Sequence, residues 1–329
     1  MRRASIAGPR PGGSRPKKSA GAGVGVEPTF APVFAIVWLA ASVASADPAP
    51  SLAALAPADD ARRAVAIGPA GEVYEPDGAG AWVRTQRFTT ATTLAIAGRA
   101  GTAVVANGGG VVYKLAPNGW SAIRLAQKGE VVMSGGLRAV AAVGRQLYWL
   151  DRTKAGEPEK LALAGSSVLA IGSGKTVVFA TDAGVFRVDG TKLTVLGGAP
   201  RKVTAFVTDQ WALVDRSVVD LRTNKPTSWP AGLAVGPVTT DSDGNLVAIG
   251  THGGALELVT LRAGKLAREP VAITPVGKPV GVVADRGGRV VVALQDGRLA
   301  IRDRGTWTTT TVREVLPAPR PGPAPAPSK

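Results

Sequence analysis

The chain has 329 residues, with 39 Lys and Arg against 24 Asp and Glu, a single His and no Cys. Without cysteine there can be no disulfide framework, thiolate nucleophile, Cys-ligated metal or lipid-modified Cys, and one histidine excludes a multi-His metal site within the chain. The formal net charge of +15 suits a polyanionic partner, yet no nucleic-acid-binding module is recognisable.

The first 46 residues stand apart. Arg2, Arg3, Arg10, Arg15, Lys17 and Lys18, with Glu27 as the lone acid, precede the apolar run APVFAIVWLAASVASA from Ala31 to Ala46. A basic leader, an apolar stretch and the small residues Ala44, Ser45 and Ala46 form the pattern of a signal peptide cleaved before Asp47. The run is shorter than the roughly 20 residues a spanning helix prefers, so an uncleaved anchor is the alternative. Either reading implies export to the periplasm or beyond, with membrane contact only through this segment.

From Ser51 to about Pro317 one apolar strand recurs: AVAIGP from Ala64, AVVANG from Ala103, AVAAVG from Ala139, VVFATD from Val177, ALVDRS from Ala212, LVAIGT from Leu246 and VVALQD from Val291. Successive starts lie 39, 36, 38, 35, 34 and 45 residues apart, at or just below the roughly 40 to 45 residues of a four-stranded propeller blade. Short Val-rich runs punctuated by Gly, Asn and Asp disfavour a helical solenoid. The expected fold is all-β, a β-propeller spanning residues 47–316, with seven blades read from seven units and six or eight also compatible. The doubt sits at LAALAP (Leu52 to Pro57), which either supplies the innermost strand of the first blade or closes the ring from outside.

Turn chemistry divides the units into strands. The fourth reads VLAIGSGK, TVVFATDA, GVFRVDG, TKLTVLGG, and the seventh reads GVVADRGG, RVVVALQD, GRLAIRDR, GTWTTTTV. Glycines fall at the reversals, where positive φ is needed. The sixth opens on TTDSDGNLVAI, and the fifth, QWALVDRSVVDLRTNKPTSW, carries the weakest turn signals. Residues 317–329, PAPRPGPAPAPSK, have too many prolines for a strand or helix and are expected to form an extended arm. In polyproline II form, at about 3.1 Å per residue, it would reach on the order of 40 Å.

Chemistry is sparse. Asp182, Asp209, Asp241, Asp243 and Asp285 fall in expected turns and are the candidate catalytic carboxylates. Asp241, Asp243 and Asn245 have the spacing that begins a calcium loop, but Leu246 occupies the sixth position, where Gly is required, and His252 the twelfth, where Glu is required. That excludes an EF-hand and leaves a hairpin turn or a weak metal site. His252, in THGG, is read as a solvated loop histidine, and no cofactor is expected.

Local stretches resemble known propeller families. YEPDGAGAW, Tyr74 to Trp82, resembles the Asp-box of sialidase-type repeats, with PNGW at Pro117 and DRGTW at Asp303 as looser versions. The resemblance implies a turn-stabilising role and no catalysis, since Tyr74, Tyr113 and Tyr148 lack the context of a sialidase nucleophile. VVDLRTNKPTSW, Val218 to Trp229, is similar to quinoprotein-type repeats through Asp220 and Thr223, with Asn224 in place of Gly; DSDGNL is similar to NHL-type repeats. Trp82, Trp120, Trp229 and Trp307 recur near the start of the last strand of their units, where they are expected to wedge between blades.

Three functions follow as expectations. The first is a non-catalytic binding or scaffold module for an envelope protein or an anionic polymer, acting as a monomer through loops on a rigid platform. The second is a hydrolase or lyase with carboxylates at the channel mouth, and the third an outer-membrane assembly factor. Removing the leader leaves 33 basic residues against 23 acidic, spread through turns rather than gathered in one run.

Overall fold

A computed structural model of the chain describes residues 50–56, 64–88, 96–97, 104–106, 109–116, 119–136, 138–150, 157, 167–190, 192–197, 202–273, 278–285 and 287–313. All belong to one compact unit, Asp47–Lys329. The leader and the Pro-rich tail lie outside the described residues.

Every element among them is a β-strand. The first antiparallel meander comprises β1 (Ala54–Ala56), β2 (Val65–Ile67), β3 (Glu72–Pro76) and β4 (Trp82–Arg87). The second comprises β5 (Ile96–Ala97), β6 (Val104–Ala106), β7 (Val111–Ala116) and β8 (Gly119–Arg124). The third shows three described strands, β9 (Val131–Gly136), β10 (Val140–Val143) and β11 (Gln146–Trp149). Four strands return in β12 (Val168–Ser173), β13 (Val177–Thr181), β14 (Gly184–Asp189) and β15 (Lys192–Val195). The next set is β16 (Ala205–Phe206), β17 (Trp211–Val214), β18 (Ser217–Asp220) and β19 (Lys225–Ser228). The last two are β20 (Ala234–Thr240), β21 (Leu246–His252), β22 (Ala255–Arg262), β23 (Lys265–Pro270), and β24 (Pro279–Ala284), β25 (Val290–Leu294), β26 (Arg298–Asp303), β27 (Thr306–Arg313).

The strand that recurs in the sequence is the second of each meander. In β10 and β25 it reads as an unbroken apolar run because each of its faces is buried against a different neighbour. In β10, Val140 and Ala142 join the core shared with the following meander, while Ala141 and Val143 join the core shared with the preceding one. In β25, Val290, Val292 and Leu294 face the sixth meander and Val291 and Ala293 face the first. Burial on both faces removes the polar/apolar alternation of a half-exposed strand.

A buried cluster bridges each consecutive pair of meanders. A further cluster joins the last to the first: Leu52, Leu55, Ala66, Tyr74 and Trp82 pack with Val283, Val291, Leu299 and Val312. Two devices make that junction. The segment LAALAP supplies β1, the innermost strand of the first meander, paired antiparallel with β2. There it lies so close to β24 that a Cβ on Gly281 would sit 2.3 Å from Leu55 Cβ and 2.6 Å from its backbone nitrogen. At the outer edge β4 and β27 pair in parallel, Val312 opposite Trp82 and Arg313 opposite Val83, joining the end meanders into one eight-stranded sheet.

The tryptophans bridge meanders. Trp82 is 3% exposed against Val312. Trp120, in β8, stacks edge-on against Phe88 and its indole N–H donates to Glu75 Oε1 of the first meander at 3.4 Å. Trp307, in β27, donates likewise to Glu269 Oε1 of the sixth at 3.0 Å. Trp229 departs from the expected position: it follows β19 rather than opening it, and packs with Val207, Val218 and Leu246 between the fifth and sixth meanders.

Candidate functional site

In an antiparallel meander the first–second and third–fourth turns share one end, and the second–third turns lie at the other. Asp209, Asp241, Asp243 and Asp285 all sit in first–second turns, while Asp182 sits in the second–third turn between β13 and β14. His252 closes β21 at that other end as well.

Most of these carboxylates are engaged by backbone. Asp241 Oδ1 accepts from the N–H groups of Asp243 and Asn245, both at 2.9 Å, and Oδ2 accepts from the Asn245 side-chain amide at 2.8 Å. The Asp241 N–H donates to Asn245 O, and Gly244 takes φ +83° to complete the reversal. Asp285 repeats the device: Oδ1 accepts from Arg289 N at 2.9 Å, and Gly288 has φ +76°. In the Asp-box-like turn Asp77 Oδ1 accepts from Ala79 N and Ala81 N at 2.8 and 3.1 Å. One chemistry therefore serves three turns, an Asp side chain capping the N–H four residues on while Gly three residues on supplies positive φ. Asp241, Asp243 and Asn245 are held within such a turn, and no group of three or more metal-ligating side chains occurs among the described residues.

Asp209 works across meanders. Its Oδ2 accepts from Thr176 N at 2.9 Å and Thr176 Oγ1 at 3.0 Å, tying the β16–β17 turn to the β12–β13 turn. Gly174, expected at a reversal for its backbone freedom, serves instead by close approach, because a Cβ there would collide with the Asp209 carboxylate. Beside this link opens a cavity of about 520 Å³, lined by residues of the fourth, fifth and sixth meanders. Lys175, Arg187, Trp211 and Arg222 bring cations and an aromatic ring to it, and Asp209 and Asp243 bring carboxylates. Thr208, Gln210 and Ser242 add neutral hydrogen-bonding groups.

The two arginines differ. Arg222 is paired with Asp220 at 3.4 Å. Arg187, on β14 opposite Val178 and Thr194, has its Nε buried with no hydrogen-bond acceptor among the described residues. Trp211 donates through its indole N–H to Gly244 O at 3.4 Å, which fixes the ring between the fifth and sixth meanders. In the sequence Asp209 and Asp243 fall in expected turns, and neither Arg187 nor Trp211 stands out as a site residue. A lone Arg in the apolar third strand GVFRVDG was the available signal.

At the other end His252 is exposed at its turn and is also held by neighbours. Its Nδ1 lies 3.3 Å from Glu257 Oε1 and 3.2 Å from Arg268 Nη2, while Arg268 grips Glu257 in a two-pronged pair. Elsewhere, burial pushes the Tyr148 phenol above its ordinary pKa, and a hydrogen bond with the Gln127 backbone pulls the other way. A raised pKa moves that phenol further from the phenolate a tyrosine nucleophile needs.

No family model and no curated protein sequence matches this chain. Among solved structures it is similar to PorZ, a surface component of the type-IX secretion system of Porphyromonas gingivalis. The match covers 83% of this chain and 39% of that one, at 14% identity and a TM-score of 0.53. The extracellular domain of BT4673 from B. thetaiotaomicron aligns over 77% of this chain and 38% of that one, at 14% identity and a TM-score of 0.49. Virginiamycin B lyase from Staphylococcus aureus aligns over 64% and 80%, at 13% identity and a TM-score of 0.48. The chain thus spans about two-fifths of PorZ. At such identity the likeness is one of fold, and the fold is a β-propeller.

Proposed function

We propose that the chain is an exported seven-bladed propeller that serves as a binding or scaffold module for an envelope protein or anionic polymer, and that it acts without catalysis. The observation that carries this reading is the use of the candidate carboxylates. Asp209, Asp241 and Asp285 are committed to backbone N–H groups that hold turns in place. An acid or base catalyst must instead present its oxygen to a substrate proton. The turns so fixed frame a cavity bearing Lys175, Arg187 and Arg222.

Seven blades are supported by the closed series of shared cores and by the β4–β27 pair, which staples the last meander to the first. Export to the periplasm or the cell exterior is supported by the basic leader, its apolar run and the Ala44-Ser45-Ala46 sequence. PorZ is itself a bacterial surface component. A hydrolase or lyase is the second reading, because Asp209 and Asp243 line one cavity; it predicts turnover that Asp243→Asn abolishes.

The test is to tag the full chain in its host, crosslink intact cells and identify what is bound. A specific envelope protein or polymer, lost when the β12–β13 and β20–β21 turns are altered, is expected. No enrichment above a tagged control would overturn the reading.

A further inference from the structure

Arg187 has no carboxylate partner among the described residues. Its Nε has been taken out of water without gaining an acceptor among the described residues, as has the Nε of Arg289, but Arg289 reaches Asp303 through Nη1, and Arg222, Arg268, Arg298 and Arg302 each have a carboxylate partner as well. A buried donor without a partner costs stability, and one that persists calls for an explanation; with Nε shut away from solvent, it is the Nη groups that remain to meet a ligand. Arg187 also lines the 520 Å³ cavity, within the range of cavities that hold small ligands.

The rest of the lining narrows the chemistry. A guanidinium is a planar fork matched to a carboxylate, gripping it through two nitrogens. Asp209 and Asp243 stand in the same lining, so their charge opposes a dianion such as phosphate more than a single carboxylate. Those two carboxylates and the Gln210, Thr208 and Ser242 side chains are acceptors and donors suited to several hydroxyl groups at once. Trp211, pinned by its bond to Gly244 O, offers a fixed amphipathic ring against which the C–H face of a sugar can lie. An acidic peptide would use the guanidinium but would leave the hydroxyl-matching groups unpaired.

We propose that this cavity, between the fourth, fifth and sixth blades, binds an acidic sugar residue whose carboxylate is held by Arg187. The proposal rests on the binding-module reading and specifies the anionic polymer as a carboxylated glycan. Trp211 stacks on the ring, and Gln210, Thr208 and Ser242 take its hydroxyl groups.

Calorimetry with the full chain at about 0.15 M salt tests it, with tetragalacturonate as probe, its carboxyl-reduced and therefore uncharged form as one control, and a tetraglutamate peptide as the other. Tetragalacturonate is expected to bind at least ten-fold more tightly than either control. Arg187→Met is expected to weaken binding ten-fold or more, while Arg216→Gln, which removes the same charge at the opposite end of the fifth blade, leaves it unchanged. Should Arg187→Met fail to fold, Arg187→Lys keeps the charge without the fork and is expected to lose several-fold. No binding of tetragalacturonate, equal binding of either control, or unaltered binding by a folded Arg187 variant would overturn the proposal. If an Arg187→Met chain still captures its envelope partner in the crosslinking experiment, the binding-module reading stands and only the cavity assignment falls. If neither the acidic sugar nor any envelope partner is bound, both fall.

Discussion

The second and fourth strands of the blades belong to the same sheets, separated by the third strand, yet they occupy different environments. Every position of β10, β13 and β25 is buried. Along β15, β19 and β23 no position is buried, and β15 leaves Val195 65% exposed. The second strand is clamped between two neighbouring blades, while the fourth lies at the rim with one side to solvent. The lesson is that the period of this protein is carried by its inner strands, and the rim is free to vary in composition so long as it pairs. Burying a large apolar side chain contributes roughly 1.5 to 3 kcal/mol, so stability should be concentrated in the inner strands.

The sharpest way to break this contrast is Phe179→Ala in β13. Phe179 is fully buried and stacked on Phe186 with ring centroids 5.3 Å apart. Its loss is expected to cost about 3 to 5 kcal/mol in urea unfolding. Next comes Gly281→Ala, which drives a Cβ into the backbone of Leu55 where the first and last blades meet. A cost of about 1 to 3 kcal/mol is expected from overpacking, and because the atoms it meets are Leu55 Cβ and backbone, Leu55→Ala in the same chain should not recover it. Smaller still is Asp241→Ala, which frees the Asp243 and Asn245 N–H groups at an edge turn. A loss of about 1 to 2 kcal/mol is expected, with faster amide exchange confined to the β20–β21 turn. The smallest effect belongs to Thr309→Ala on the exposed face of β27, within about 0.5 kcal/mol of the parent chain. A rim substitution as costly as Phe179→Ala would end the distinction between inner and outer strands.

The same contrast explains what could be read in the sequence. The second strands were legible as apolar runs, and in β10, β13 and β25 every residue is buried between two neighbours. The fifth unit was the faintest, and its second strand β17 has one fully buried residue, Ala212. Its turns use Asp215 and Asn224 at φ +53° and +54°, so glycine, the usual marker, is missing there. Trp229 was misplaced because its burial depends on Leu246 and Val259 of the next blade, which no local pattern announces. The role of LAALAP was open in the sequence because the contact that decides it is with Gly281, more than two hundred residues away. The cavity was illegible for a related reason. Lys175, Arg187, Trp211 and Asp243 come from three blades, and of these only Asp243 stands out within its own repeat.

The parallel pair between β4 and β27 also sets an order of events. Trp82, near the start of the body, acquires its cover from Val312, close to the described end. A chain made from its N-terminus therefore carries an unpaired β4 edge until β27 has been made. Joining such distant segments demands a large loop closure before any contact rewards it, which makes this a slow step. Until then the exposed edge of β4 is a template for any other strand that comes near, so the interval before closure is when the protein most needs a chaperone.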